Sequence, residues 1–276
     1  MKKLLDGIKV VTLAVNLPGP AAARRLCQLG AQVVKVEPPS GDPMNHFHAD
    51  WYEQLKVGQQ LIKIDLKSNE GRRQLDSLLQ EADLLITANR PAALERLGLG
   101  WDDLHQQFPQ LCQVAIVGYP APRENEPGHD LTYQAKNGLL NPPQMPRTLI
   151  ADMAGGEKAV SEALALLWAR DHGQEAGYRA VALSDAADYM AEPWTVGFTT
   201  PESFVGGALA EYNLYQASDG WVAVAALEPH FKRALEDALE VTADSPEILR
   251  PIFAQKTASA WEEWAKEYDL PVIAVR

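Results

Sequence analysis

Residues 8–37 limit the fold of this chain more than any others. Ile8 to Leu13 (IKVVTL) is a β-branched, apolar run of the kind that forms a strand buried on both faces. Pro18-Gly19-Pro20 then breaks the run. Ala21 to Leu29 has helical spacing, with Ala22, Leu26 and Leu29 on one face, Arg24, Arg25 and Gln28 on the other, and Gly30 closing it. Gln32 to Glu37 (QVVKVE) is a second strand. Strand, helix, strand over so short a span is a βαβ unit, whose right-handed crossover predicts the opening of a doubly wound parallel sheet.

The alternation continues. Strands are expected at 61–66, 83–88, 111–117 and 178–183, with helices at 69–81, 92–97, 101–108 and from 130 to 136. Residues 153–170 form the longest helical stretch, and 118–128 is a loop rich in Pro and charge. Beyond about Ala191 the character changes. The segment 193–207 is rich in Thr, Pro and Gly, and 212–227 alternates around Ser218-Asp219-Gly220, a hairpin signal. Helices at 229–239, 246–255 and 260–267 and a last strand at 272–275 follow. The expectation is a Rossmann-like α/β large domain over 1–190, a linker over 191–210, and a smaller α+β domain over 211–276.

Charge narrows the class of partner. The chain has 37 acidic residues against 25 Lys and Arg, a formal net charge of −12. The field of such a molecule repels nucleic acid and anionic membrane, so neither is expected as a partner, and an anionic ligand needs a local cationic patch. Cys27 and Cys112 are the only cysteines and both sit in apolar runs, which predicts buried free thiols; nothing suggests a disulfide framework or a four-ligand zinc site. No metal is expected. Met1 to Gly7 shows no apolar leader before Asp6, and no run of 18 apolar residues occurs, so a cytoplasmic location is expected.

The first βα turn reads Asn16-Leu17-Pro18-Gly19-Pro20 and lacks G-x-G-x-x-G, which disfavours a nicotinamide enzyme. Glu37 lies where a ribose-binding acid would, and without the glycines it reads as a strand-end charge. Other segments carry more. The run LGAQVVKVEPPSGD within 8–42, Ile64-Asp65-Leu66-Lys67-Ser68 and Asn89-Arg90-Pro91 with Glu95 to Gly100 resemble the class III CoA-transferase family. So do Gly128-His129-Asp130-Leu131-Thr132-Tyr133, Leu149 to Gly156, and Asp219-Gly220-Trp221 with Glu228-Pro229-His230-Phe231. The pieces stand in the family's order over nearly the whole chain, and the α-methylacyl-CoA racemase branch fits best.

That resemblance implies an acyl-CoA thioester as substrate and a racemase or epimerase acting on 2-methylacyl-CoA-like thioesters. His129 and Asp152 would be the acid/base pair, with Glu228 and Asp130 as supporting carboxylates. In the transferase branch the residue matching Asp152 is instead a nucleophile that forms an acyl anhydride. Coenzyme A would be held by Asp65, Leu66 and Lys67, by Ala88, Asn89 and Arg90, by Arg96, and by the segment containing Gly128 and Tyr133. The family's interlocked homodimer is implied as well. Two positions depart from the family pattern: Pro38 stands where relatives carry Arg, and Lys56 to Gln60 replaces a basic run. They keep a third reading open, a non-catalytic CoA-thioester-binding protein. The chain also ends where relatives continue, so its small domain is expected to be shortened.

The residue types suit the chemistry. Inverting an α-carbon needs one group to remove a proton and another to deliver one from the opposite face, which imidazole and carboxylate can do near neutrality. Asp152 is read as standing just before a helix whose first N–H groups would favour a developing enolate, with Gly155 and Gly156 letting a ligand approach. Taken alone, Asp152 reads more readily as an N-cap and His129 as a loop histidine; Glu228 also reads as a helix-start acid, and Arg90 and Arg96 equally as solvated helix-end charges.

Overall fold

The computed structural model describes residues 3–276; Met1 and Lys2, which begin the segment read as lacking an apolar leader, lie outside the described residues. Two compact units divide at Ala191 and Glu192.

The first unit is built on six strands: β1 (Lys9–Thr12), β2 (Gln32–Glu37), β3 (Gln60–Lys63), β4 (Leu84–Thr87), β5 (Cys112–Val117) and β6 (Tyr178–Ala182). Their order is β3-β2-β1-β4-β5-β6, and every neighbouring pair is parallel. Side-chain alternation splits the core into two layers. Val10, Leu84, Ile86, Val114 and Ile116 pack with α1 (Pro18–Leu29) and α8 (Ile150–Asp171). Val11, Leu85 and Val36 face the other way, against α4 (Asn69–Leu79), α5 (Pro91–Arg96) and α6 (Trp101–Gln107). The central strands β4 and β5 are buried along their whole length, which is why they read as continuous apolar runs. This is the expected doubly wound sheet.

Several local expectations are corrected. Helix α1 starts at Pro18, not Ala21, because a proline in the first turn has no N–H to lose. Strand β3 stops at Lys63, and residues 64–68 form the turn into α4, which Ser68 caps by accepting from the Gly71 N–H at 2.9 Å. Two helices with no sequence assignment lie between β2 and β3: α2 (Pro43–Phe47) and α3 (Ala49–Leu55). Asp42-Pro43 is their signal, an N-cap whose side chain accepts from the Met44 N–H at 2.9 Å, followed by proline at the first helical position. Residues 183–195 form α9 (Leu183–Thr195), which takes in 184–190, a segment with no sequence assignment, and the start of the linker expected from 191. The remaining helix of this unit is α7 (Asp130–Lys136). Cys112 is buried as expected, and burial pushes its thiol up, but Cys27 is only half-buried.

The second unit carries an antiparallel sheet of β7 (Tyr212–Gln216), β8 (Trp221–Ala225) and β9 (Val272–Ala274), in that order. The hairpin between β7 and β8 closes through Ala217 N–H to Gly220 carbonyl at 2.8 Å. Helices α10 (Pro229–Leu239), α11 (Pro246–Phe253) and α12 (Ala258–Glu267) cover one face. The core holds Tyr215 stacked on Phe253, with Trp261 donating its indole N–H to the Phe253 carbonyl at 2.7 Å. Among the described residues no helix is long and apolar enough to cross a membrane.

Candidate active site

The strand order reverses between β1 and β4, and the loops leaving the C-terminal ends of β1, β4 and β5 diverge there. They enclose a cavity of about 700 Å³ within the first unit. A crevice at such a reversal is where open α/β sheets bind ligands.

The loop after β1 supplies Asn16 and Leu17. Asn16 is held in the left-handed region, at φ 66°, by its N–H donating to Asp42 Oδ1 at 3.0 Å. Asn tolerates that conformation because its short polar side chain bonds locally. Asp42 is itself buried and ion-paired to Lys35, which is 1% exposed. The Lys35 ammonium also lies 3.6 Å from Glu37, whose carboxylate accepts from the Tyr52 hydroxyl. Glu37 is therefore no solvated strand-end charge. It belongs to a buried Lys35–Glu37–Asp42–Tyr52 cluster that ties β2, α2, α3 and the loop after β1 together. Met44, Phe47 and Trp51 from α2 and α3 give the cavity an apolar wall.

The loop after β4 brings Ala88, Asn89 and Arg90 to the cavity. Arg90 is exposed at the N-cap of α5. The loop after β5 and the start of α7 contribute Gly128, His129, Asp130 and Tyr133. The exposed His129 side chain stands at the N-cap, and its backbone N–H donates to Thr132 Oγ1 at 3.1 Å.

Asp152 lies in the same cavity, half-buried, and its position differs from the sequence reading. Helix α8 begins at Ile150 with Leu149 as N-cap, so Asp152 is the third helical residue and does not precede the helix. The cap comes from outside: Asp130 Oδ2 accepts from the Asp152 N–H at 3.0 Å. A carboxylate in that place satisfies a first-turn donor that no local side chain reaches. Asp130 is 3% exposed, and its other oxygen accepts from the Gln134 side-chain amide, which also donates to the Thr148 carbonyl at 3.2 Å. Burial first, and the neighbouring Asp130 charge second, push the Asp152 carboxyl up to about 7.

The glycine pair plays another part than the one expected. A Cβ on Gly155 would meet the Leu183 side chain at 2.3 Å, and one on Gly156 would lie 3.0 Å from the Pro18 carbonyl. Both glycines let α8 pack closely on its neighbours. The Met153 N–H is likewise taken, by the Leu149 carbonyl at 3.0 Å.

Four expected site residues of the first unit are not in the lining. Asp65, Leu66 and Lys67 form the turn into α4, where Asp65 Oδ1 accepts from the Lys67 N–H at 3.0 Å. Arg96 is exposed at the far end of α5. Glu228 belongs to the second unit, exposed at the N-cap of α10 with no side-chain capping bond. Sequence reasoning missed the apolar wall from α2 and α3 and two carboxylates of the lining, Glu124 and Glu126. Only the Asp42-Pro43 signal pointed there. Among the described residues no group of three or more His, Cys, Asp or Glu is placed to hold a metal ion.

Fold and site together define a Rossmann-like α/β protein whose cavity, at the point where the strand order reverses, is lined by His129, Asp130 and Asp152. The chain belongs to CoA-transferase family III, whose model matches residues 5–276. It is similar to human α-methylacyl-CoA racemase, 28% identical over 288 residues that cover 93% of this chain and 74% of the relative. It is also similar to the (R)-2-hydroxy-4-methylpentanoate CoA-transferase of Clostridioides difficile, 33% identical over 167 residues that cover 55% of this chain and 42% of the relative. A crystal structure of a hypothetical protein from Mycobacterium tuberculosis superposes with a TM-score of 0.84 at 26% identity, covering 100% of this chain and 86% of that one. The chain spans 66%, 42%, 47% and 46% of the length of four curated CoA-transferases that it matches.

Proposed function

We propose that the protein acts on an acyl-CoA thioester, exchanging the α-proton of a 2-methylacyl-CoA-like substrate as a racemase or epimerase, with Asp152 and His129 as the acid/base pair. The observation that carries this reading is the Asp152 carboxyl, raised to about 7 in a cavity shared with an imidazole. A group poised near ambient pH can both accept and return a proton. A carboxylate nucleophile is active only when ionised, the form that burial and the Asp130 charge disfavour here. Thioester conjugation acidifies the α-carbon, so one residue removes the proton while the other delivers one to the opposite face. Arg90 is the cationic donor for a CoA phosphate, and Asp130 holds the start of α8 in register beneath Asp152.

The second reading is CoA transfer through an aspartyl-acyl anhydride on Asp152, favoured by the 33% identity to a CoA-transferase. The experiment that separates them is incubation with 2-methylacyl-CoAs in deuterated water, followed by mass spectrometry and chiral analysis. Deuterium at the α-carbon that is lost in His129→Ala and Asp152→Asn, by about 10²–10⁴-fold, supports the racemase. An Asp152 adduct trapped by hydroxylamine, with little effect from His129→Ala, supports the transferase. If CoA binds and neither product forms with any thioester, the protein is a CoA-thioester binder, in keeping with Pro38 and the absent basic run at 56–60.

The proposal includes a homodimer and a supporting role for Glu228. Exposed Trp194 at the end of α9, with Val196 and Phe198 after it, favours a partner surface there. Glu228→Gln should slow exchange at unchanged stability; an unchanged rate would remove it from the machinery.

A further inference from the structure

Among the described residues of the first unit, Asn16 is the one non-glycine whose backbone stands in the left-handed region, and it lines the cavity. What holds it there is Asp42, whose side chain is fully buried. One oxygen of that carboxylate, Oδ1, accepts from two lining residues on different elements, the Asn16 N–H at 3.0 Å and the Met44 N–H at 2.9 Å. The other oxygen takes the Lys35 ammonium. Leu17, beside Asn16, packs with Met44, Tyr52 and Leu55 in one buried cluster, so the loop after β1 meets the wall from α2 and α3 where Asp42 joins them. The bond to Met44 is an ordinary helix cap, which a serine would also make. The bond to Asn16 is not; it ties in a loop 26 residues earlier in the chain. The charges point the same way. Two buried carboxylates share one ammonium, and Glu37 already has the Tyr52 hydroxyl, with the Lys35 ammonium 3.6 Å away. Asp42 is thus a carboxylate beyond what neutrality needs, and a buried charge in excess is costly to keep. What it provides is a fixed distance between two walls of the cavity.

We infer that Asp42 is a positioning residue of the thioester site: through Asn16 and Met44 it fixes the gap between the loop after β1 and the apolar wall, and with that gap the fit of the acyl-CoA. The inference rests on the thioester reading above and adds to it a residue that itself touches no ligand. Backbone held in a sparsely populated region persists where its surroundings over-determine it, and such places gather at ligand sites. Here a buried ion pair over-determines Asn16. The acid/base groups are held separately, Asp152 on α8 and His129 at the start of α7, with Asp130 bonded to the start of α8. Loss of Asp42 therefore loosens binding and spares the chemistry.

Two substitutions separate positioning from stability, with isobutyryl-CoA, a 2-methylacyl thioester, as the probe. Asp42→Asn keeps the Oδ1 acceptor for both N–H groups and loses the ion pair. Asp42→Ser also loses the ion pair and still caps α2, but it is too short to reach Asn16; Lys35 keeps Glu37 as partner in both. Melting temperatures should fall in both variants. In calorimetry Asp42→Asn should bind like wild type, while Asp42→Ser should bind about tenfold more weakly, the worth of one or two weakened hydrogen bonds. Deuterium exchange should show the same loss in KM, with kcat of Asp42→Ser within about threefold of wild type. Affinity that falls equally in both variants, or in neither, or a loss confined to kcat, would overturn the assignment. A further measurement needs no variant: in wild-type protein the Asn16 and Met44 amides should exchange more slowly with isobutyryl-CoA bound, and unaltered exchange would count against the inference. The calorimetric arm needs no turnover. Wild-type protein that fails to bind isobutyryl-CoA would defeat the thioester reading and this inference with it, whereas full affinity in Asp42→Ser would defeat the role of Asp42 alone.

Discussion

Asp152 shows how a single residue's meaning is set by what surrounds it. Its sequence context is an ordinary helix start, and either an N-cap or a reacting group fits. In the fold it is neither exposed nor capping; Asp130 holds the cap, and its charge adds to the burial that raises Asp152. The sign of the stability effect follows. Because the folded-state value is raised, the folded protein keeps a proton that the unfolded chain has lost between about pH 4 and 7, so this group lowers stability as pH rises through that window. Asp152→Asn should therefore be more stable than wild type at pH 8, by on the order of 1–2 kcal/mol, and not at pH 3. Urea melts at the two pH values would show it, and equal differences at both would contradict the linkage. The arginines separate in the same way. Arg90→Ala should weaken CoA binding by about 1.5–3 kcal/mol in calorimetry, and Arg96→Ala by much less, since only Arg90 lines the cavity. The GHD segment was legible because its site residues are neighbours in sequence; the separation of Arg90 from Arg96 was not, because it depends on which end of α5 faces the cavity.

At the scale of elements, the short helices α2 and α3 build the apolar wall, and a buried charge cluster fixes them. Lys35 on β2 is buried where Asp42, the N-cap of α2, and Tyr52 of α3 close over it. Lys35→Met would leave Glu37 and Asp42 buried without their cation, which should cost about 3–5 kcal/mol in a denaturant titration. A loss below about 1 kcal/mol would mean that the two carboxylates find another partner. The strands and long helices were legible because apolar periodicity reports burial directly. The helices between β2 and β3 were not, because they are only five and seven residues long. Too short for periodicity to show, they announce themselves only through the Asp42-Pro43 start.

For the whole molecule, the proposed homodimer predicts sedimentation at twice the 30.3 kDa chain mass, unchanged on dilution through the micromolar range. A monomer at those concentrations would defeat it. The order of motifs along the chain determined the family, and the alternation of strand and helix determined a parallel sheet, because both are written in local spacing. Which loops meet at the reversal between β1 and β4, that Asp130 caps the helix bearing Asp152, and that Gly155 and Gly156 serve packing were decided by the tertiary structure alone. Each depends on groups brought together from distant parts of the chain, and the burial and charge proximity that raise one carboxyl exist only once that assembly has formed.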